Sequence, residues 1–233
     1  MQPVYLRVKD QLWQWILLER LGSQARLPAE RELAQRFRTT RVTLRQSLGQ
    51  LEAEGKIYRS NRRGWYVTPQ RLDYDPAKDV GFYQMVAGQG YTPATETLSK
   101  TMQEVPEWLA QRAGLAMQSD ICYLLRRRSI DGRSVLLEHN YINPQYCPDL
   151  LLQDTDRSLW QQLRERYDLQ PSKRQIEFYP QALDGIAAEA LGVNPGTAGL
   201  CLQRLTYDQQ GRFLEFDQEY WIHDALKVTV NVA

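Results

Sequence analysis

Apolar positions in the first fifty residues recur at helical spacing in three blocks. Val4, Val8, Leu12, Trp15 and Ile16, with Arg7, Lys9, Asp10 and Gln14 between them, predict an amphipathic helix from Val4 to Leu21. Gly22-Ser23 closes it. Leu27-Pro28-Ala29-Glu30 opens a second helix, with Pro28 in its first turn, Glu30 and Glu32 near the positive end of its dipole, and Leu33, Ala34 and Phe37 as its buried stripe. The break Arg38-Thr39-Thr40 offers a hydroxyl cap for a third helix, on which Leu44, Leu48 and Leu51 line one face and Val42, Arg45, Gln46 and Gly49 the other. Two short helices joined by about three residues, the second basic on its free side, follow the helix-turn-helix plan. After Gly55 the period changes. Lys56–Arg59 and Trp65–Val67 predict two strands around Ser60-Asn61-Arg62-Arg63-Gly64, a hairpin tipped with two arginines that reads as a wing able to lie along phosphates or in a minor groove.

Pro69 to Pro76 is polar and aperiodic, which places a first domain at 1–70, a linker at 71–78 and a second domain at 79–233. Phe82–Ala87 and Pro106–Arg112 predict helices, and Ser158-Leu159-Trp160 opens another with Ser158 as its cap. Ile121–Arg128 and Val135–Tyr141 predict strands around the hairpin turn Asp131-Gly132, and Leu200–Tyr207 and Arg212–Trp221 repeat the pattern around Gln210-Gly211. A Leu-rich helix precedes each hairpin, Trp108–Leu115 in one case and Ile186–Val193 in the other. The repeat predicts an internally duplicated α+β domain with an antiparallel sheet.

Charge sharpens this division. The 233-residue chain has a net charge of +1, yet residues 1–70 hold 13 Lys and Arg against 6 Asp and Glu, net +7, leaving −6 for the rest. A basic domain joined to an acidic one points to a polyanion for the first and other work for the second. A hydrophobic content of 42% and 6 Trp fit an ordinary globular chain. The apolar stretch Leu12–Leu18 is too short to span a membrane, and the first residues lack the pattern of a secretory signal, so a cytoplasmic protein is expected. Cys122, Cys147 and Cys201 form neither a disulfide framework nor a zinc pattern and are expected in the core, and no metal or cofactor is expected.

Leu27-Pro28-Ala29-Glu30-Arg31-Glu32-Leu33-Ala34, Thr40-Arg41-Val42-Thr43-Leu44-Arg45 and Leu51-Glu52-Ala53-Glu54-Gly55, in that order, resemble the winged-helix DNA-binding domain of the GntR family of bacterial transcription regulators. The resemblance implies an α/β winged helix-turn-helix in which Arg31, Thr40, Arg41, Thr43 and Arg45 meet DNA, with Arg62, Arg63 and Gly64 in the wing. The chemistry agrees. Thr40 and neighbouring amides can hold a phosphate at a helix start, while Arg41 and Arg45 can reach guanine edges. The wing departs from the family pattern, with Arg62 where many members have glycine and Trp65 where many have threonine.

From Phe82 onward the chain resembles the effector-binding domain of the HutC subfamily, a fold shared with chorismate lyase. Arg126-Arg127-Arg128, Glu138 and Glu215 match the subfamily's ligand-contacting positions. Alternation along a strand puts Arg126 and Arg128 on one face and Arg127 on the other, and two adjacent guanidinium groups suit a phosphate, phosphonate or carboxylate. At Trp221-Ile222-His223-Asp224 the chain departs from the Tyr-Arg-Gly-Asp pattern of sugar-phosphate-sensing members and looks like regulators of 2-aminoethylphosphonate utilisation. That implies a phosphonate on Arg126, Arg128 and the helix start at Gly81-Phe82, near Ser158, with its ammonium on Glu138, Glu215 or the face of Trp221. The competing arrangement is that these arginines and glutamates pair with one another.

The expected protein is a homodimeric repressor or activator on a double-stranded inverted-repeat operator, controlled by a phosphonate or phosphate-ester effector and without a membrane partner. A sugar-phosphate effector, and a second domain that only dimerises, remain open alternatives. Catalysis is not expected, because His139 and His223 lie in no nucleophile or metal motif and no glycine-rich phosphate loop occurs.

Overall fold

The computed structural model describes residues 2–60, 63–78 and 80–231. The chain divides into two compact units, one chiefly Met1–Arg71 and the other chiefly the residues from Leu72 onward.

The first unit contains α1 (Val4–Leu18), α2 (Glu30–Arg36), α3 (Arg41–Ala53) and a hairpin of β1 (Ile57–Ser60) and β2 (Gly64–Val67). Helix α1 stops three residues before the expected Leu21, and α2 begins at Glu30, so that Pro28 lies outside its first turn. The cause of the shift in α2 lies outside the helix. The Leu27 amide donates to the Trp65 carbonyl at 2.8 Å, and a residue preceding proline already favours extended backbone, so this stretch runs along β2 instead of joining the helix. Thr40 caps α3, its hydroxyl accepting from the Thr43 amide at 3.2 Å. Leu12, Ile16, Leu33, Leu44, Leu48, Leu51 and Ile57 make a fully buried core, while Val4 stays exposed and Trp15 packs at the edge of this core. The Ser47 hydroxyl donates to the Tyr5 carbonyl at 2.7 Å and so ties α3 to α1.

The second unit runs β3 (Leu72–Tyr74), α4 (Phe82–Ala87), β4 (Pro93–Glu104), α5 (Glu107–Ala113), β5 (Asp120–Ile130), β6 (Arg133–Ile142), a 3-10 turn (Leu150–Leu152), α6 (Leu159–Tyr167), β7 (Pro171–Ala182), α7 (Gly185–Leu191), β8 (Ala198–Asp208), β9 (Phe213–Ile222) and β10 (Leu226–Val228). One antiparallel sheet has the order β4-β5-β6-β9-β8-β7, so two β-α-β-β copies meet at β6 and β9. Each copy thus begins with a long strand that the apolar pattern does not signal. Strand β4 is polar and mostly exposed, and β7 carries Pro171 and Pro180, which an edge strand tolerates. Asp131 and Gly132, with φ of 49° and 78°, supply the left-handed pair that a two-residue hairpin needs between β5 and β6. The segment expected as an aperiodic linker contains β3, which pairs in parallel with β10. Its Leu72 and Tyr74 are buried on either side of exposed Asp73, an alternation too short to stand out in sequence.

Cys122, Cys147 and Cys201 are free and buried. Among the described residues no helix is long and apolar enough to cross a membrane.

Candidate functional site

In the first unit, Arg31 of α2, Thr40 at the cap of α3, and Arg41 and Thr43 of α3 line one surface groove of about 610 Å³ together with Arg38. Arg38, in left-handed backbone at φ 47°, is a further cation at the turn between the helices, placed there by a conformation that no spacing rule reveals. One turn along α3, the Arg45 guanidinium donates to Glu30 at 2.7 Å while staying 69% exposed. The same Glu30 accepts from the Trp65 indole at 3.2 Å, so one carboxylate ties α2 to both α3 and β2. Burial works to raise the Glu30 pKa, but its bonds to Arg45 and Trp65 win and lower it. Arg63 is exposed and its amide closes the wing turn on the Ser60 carbonyl, while Gly64 opens β2 at φ 106°. Arg62 lies outside the described residues. The arrangement is a row of cations and hydroxyls along the start of one helix, continued by a basic wing.

In the second unit, strand alternation carries Arg126 and Arg128 of β5, Glu138 and Asn140 of β6, and Glu215, Asp217 and Glu219 of β9 onto one face. All seven are buried. Arg127 turns to the opposite face and pairs with Glu96 and the Ala190 carbonyl. Arg126 and Arg128, expected to stand open for an anion, converge on Glu138 with contacts of 2.6 Å each. Glu138 is therefore engaged rather than free to receive a ligand. Buried guanidinium groups need a carboxylate, and residue 138 directly faces 126 across the ladder. Burial disfavours the Glu138 anion, but the two guanidinium charges outweigh it and lower its pKa. Burial and the adjacent Arg128 lower Arg126 to about 10, which leaves it charged at neutral pH.

Asn140 joins the two ends of this face: its Oδ1 accepts from Arg126 Nε and its Nδ2 donates to Glu215, both at 2.9 Å. Glu215 is thus also engaged, and burial together with the Glu138 charge raises its pKa. Phe82 places its ring 4.8 Å from the Arg128 guanidinium and packs, tilted, against Trp221. Trp221, expected to offer its face to a cation, is buried, with its indole donating to Glu219 at 2.6 Å. Arg204 of β8 contacts Asp217 at 3.2 Å and Glu219 at 3.3 Å, and donates to the Tyr74 hydroxyl of β3 at 3.0 Å.

Gly81 and Ser158 lie together elsewhere, lining a cavity of about 460 Å³ with Trp160 and Arg164. Ser158 caps α6 through the Gln161 amide at 3.3 Å. Helix α4 has only six residues, so the expected anion site at its start lacks the aligned peptides that such a site needs. The loop before Ser158 joins the two places, because Thr155 bonds to Thr97 of β4 and offers its carbonyl to Arg126 at 3.4 Å. Sequence reading missed Asn140, Arg204, Asp217, Glu219 and Tyr74, although the period-two acids 215, 217 and 219 on one strand were the available signal.

The UTRA domain family model matches residues 88–227, and the model of bacterial regulatory proteins, gntR family, matches residues 4–67. The uncharacterized HTH-type transcriptional regulator YihL of Escherichia coli K12 is 29% identical over 232 residues, covering 99% of this chain and 98% of its own. The HTH-type transcriptional repressor NagR of Bacillus subtilis is 28% identical over 214 residues, covering 91% of this chain and 88% of its own. Among solved structures, PhnF from Mycobacterium smegmatis superposes with a TM-score of 0.68 at 24% identity, covering 97% of this chain and 99% of its own, a likeness of fold. With a winged helix-turn-helix, an antiparallel effector-domain sheet and relatives named as regulators along nearly their whole length, the chain belongs to the GntR family as a DNA-binding transcription regulator with a UTRA domain, and it is not an enzyme.

Proposed function

We propose that this regulator is a cytoplasmic homodimer of the HutC type that binds an inverted-repeat operator and is controlled by a small anionic metabolite, a phosphonate such as 2-aminoethylphosphonate. In this reading the domains are 1–70 and 79–233, joined by 71–78. Arg41 and Arg45 read base edges; Arg31, Thr40, Thr43, Arg62, Arg63 and Gly64 meet the phosphate backbone. Arg126 and Arg128 hold the effector's anion, with Phe82, Glu138, Glu215 and Trp221 around it and Gly81 and Ser158 at the neighbouring cavity.

The observation that carries the effector reading is the sharing of one carboxylate, Glu138, by two buried guanidinium groups. A phosphonate presents the same acceptor geometry with one more oxygen, so it can take the place of the Glu138 carboxylate on both arginines. Exchange leaves Glu138 without its partners in a buried place, which favours an effector that also brings hydrogen-bond donors. Calorimetric titration of the full chain with 2-aminoethylphosphonate, a simple alkylphosphonate and a sugar phosphate tests the class of effector. Adding the bound species to an operator gel shift tests control, since an effector changes DNA affinity only if it prefers one state of the protein. Unchanged operator affinity with saturating effector refutes the control; absence of binding by every phosphonate and phosphate ester refutes the anion.

A further inference from the structure

Glu138, Asp217 and Glu219 bring carboxylate oxygens within 4.8 Å of one another inside the sheet face, in a cluster that neither the sequence motifs nor the relatives assign. Their partners divide unevenly. Glu138 is held by Arg126 and Arg128; Glu219 receives Arg204 on one oxygen and the Trp221 indole on the other; Asp217 receives Arg204 on Oδ2. Asp217 Oδ1 has no donor among the described residues, although the residue is 1% exposed. A second buried atom behaves alike: the Thr206 hydroxyl, opposite Glu215 and on the same face as Arg204, is also without a partner. Two orphaned buried oxygens, one on a carboxyl group whose pKa burial pushes well above the usual carboxylate range, call for a group rich in N–H donors that would hold the carboxyl as its anion.

Charge balance selects the kind of group. Three guanidinium groups, of Arg126, Arg128 and Arg204, stand against the three clustered carboxylates and Glu215, a fourth buried acid on the same face, so the face carries no more than one net negative charge. A divalent cation would leave at least one uncompensated positive charge in a buried place, which proteins avoid. A primary ammonium has three donors directed tetrahedrally, and its acceptors at hydrogen-bond distance stand roughly 4.6 Å apart, a spacing of the kind found here. If the same molecule places an anion on Arg126 and Arg128, the sum does not change. Resting on the anion-sensing reading above, we infer that Asp217, with Glu138 and Glu219, forms the subsite for a primary amine, so that the effector is a zwitterion with its amine close to its anionic group.

The test is calorimetry on the full chain with two probes differing in one group, 2-aminoethylphosphonate and ethylphosphonate, and separately with manganese chloride alone. The expected result is that the amine strengthens binding about 10- to 150-fold, the equivalent of one charge-assisted hydrogen bond. Asp217→Asn, which keeps the shape and removes the charge, is expected to erase that advantage while leaving ethylphosphonate affinity unchanged. Equal affinity of the two probes for the unaltered chain overturns the amine subsite and leaves the anion reading standing. Binding of neither overturns both. Saturable manganese binding that Asp217→Asn abolishes overturns the inference by assigning the cluster to a metal. If Asp217→Asn does not fold, the comparison on the unaltered chain decides, with Glu219→Gln as the second variant.

Discussion

Replacing Glu138 by glutamine is the sharpest perturbation of the buried face. The side chain keeps its shape and one carbonyl oxygen but loses the negative charge that both Arg126 and Arg128 contact at 2.6 Å. Beside the neutral amide oxygen that both arginines must then share, Arg126 keeps the Asn140 oxygen and the Thr155 carbonyl, and Arg128 the ring of Phe82, so neither keeps the carboxylate it contacts. Removing one partner from a buried ion pair costs about 3–5 kcal/mol, because the charge left behind is uncompensated. For a unit of about 150–250 residues, each kcal/mol lowers the melting temperature by about 2–4 °C, so the second unit's transition is expected to fall by about 6–20 °C. Differential scanning calorimetry reads this directly, provided the two units' transitions are resolved. The variant carries its own control. Alkylphosphonate or inorganic phosphate is expected to stabilise Glu138→Gln more than the parent, since no carboxylate has to be expelled, and an anion at about 100 times its dissociation constant returns about 2.7 kcal/mol. A loss below about 1 kcal/mol, the range of an exposed pair, refutes the claim that this triad is buried and mutually dependent. Equal anion stabilisation of parent and variant refutes the exchange.

Arg45→Ala is expected to weaken operator binding by about 1–3 kcal/mol and to relax preference at one base position, measured by gel shift on single-substituted operators. Arg63→Ala, at a residue proposed to meet the phosphate backbone, is expected to lower affinity evenly across sequences and to reduce the slope of log affinity against log salt by about 1. Thr40→Ala removes the α3 cap seen at 3.2 Å and is expected to destabilise the first unit by about 1 kcal/mol in chemical denaturation. Glu54 has its pKa held down from 4.5 to about 2, first by its bond to Lys56 and also by Gln50 and Lys9, against slight burial. Its folded-state pKa lies below the unfolded one, so the stabilisation is complete above about 4.5 and is lost as pH falls toward 2. For so exposed a group the amount is under about 1 kcal/mol, and Glu54→Gln is expected to flatten the acid limb of the stability curve by that much.

The first unit was legible because its signals are local. Apolar spacing, the Thr40 cap and the turn at Arg38 are each decided within a few residues, and α2 and α3 follow them. The exception, Pro28, failed because the Leu27–Trp65 bond comes from residues far along the chain. In the second unit both hairpins were legible from turn residues and from β5, β6, β8 and β9, which are largely buried and rich in apolar positions. The edge strands β4 and β7 were not, because a strand paired on one side needs no apolar run. The site shows the same division. Alternation placed Arg126 and Arg128 together, but their closure on Glu138, and the presence of Arg204 and Tyr74 beside Asp217 and Glu219, depend on how distant strands line up. Register between strands far apart in sequence is not encoded in any local pattern.

Asn140 has an implication for how the buried face behaves as a whole. A carboxamide presents an acceptor and a donor in fixed opposition, and here the acceptor must face the guanidinium while the donor must face the acid, since turning it over would set donor against donor. The amide therefore has one permitted sense, and it links Arg126, already paired with Glu138, to Glu215 without a direct contact between those two. Aspartate at this position would supply a further anion and remove that separation, whereas a leucine of similar size would sever the connection; only an amide keeps opposite charges apart and still bound into one network.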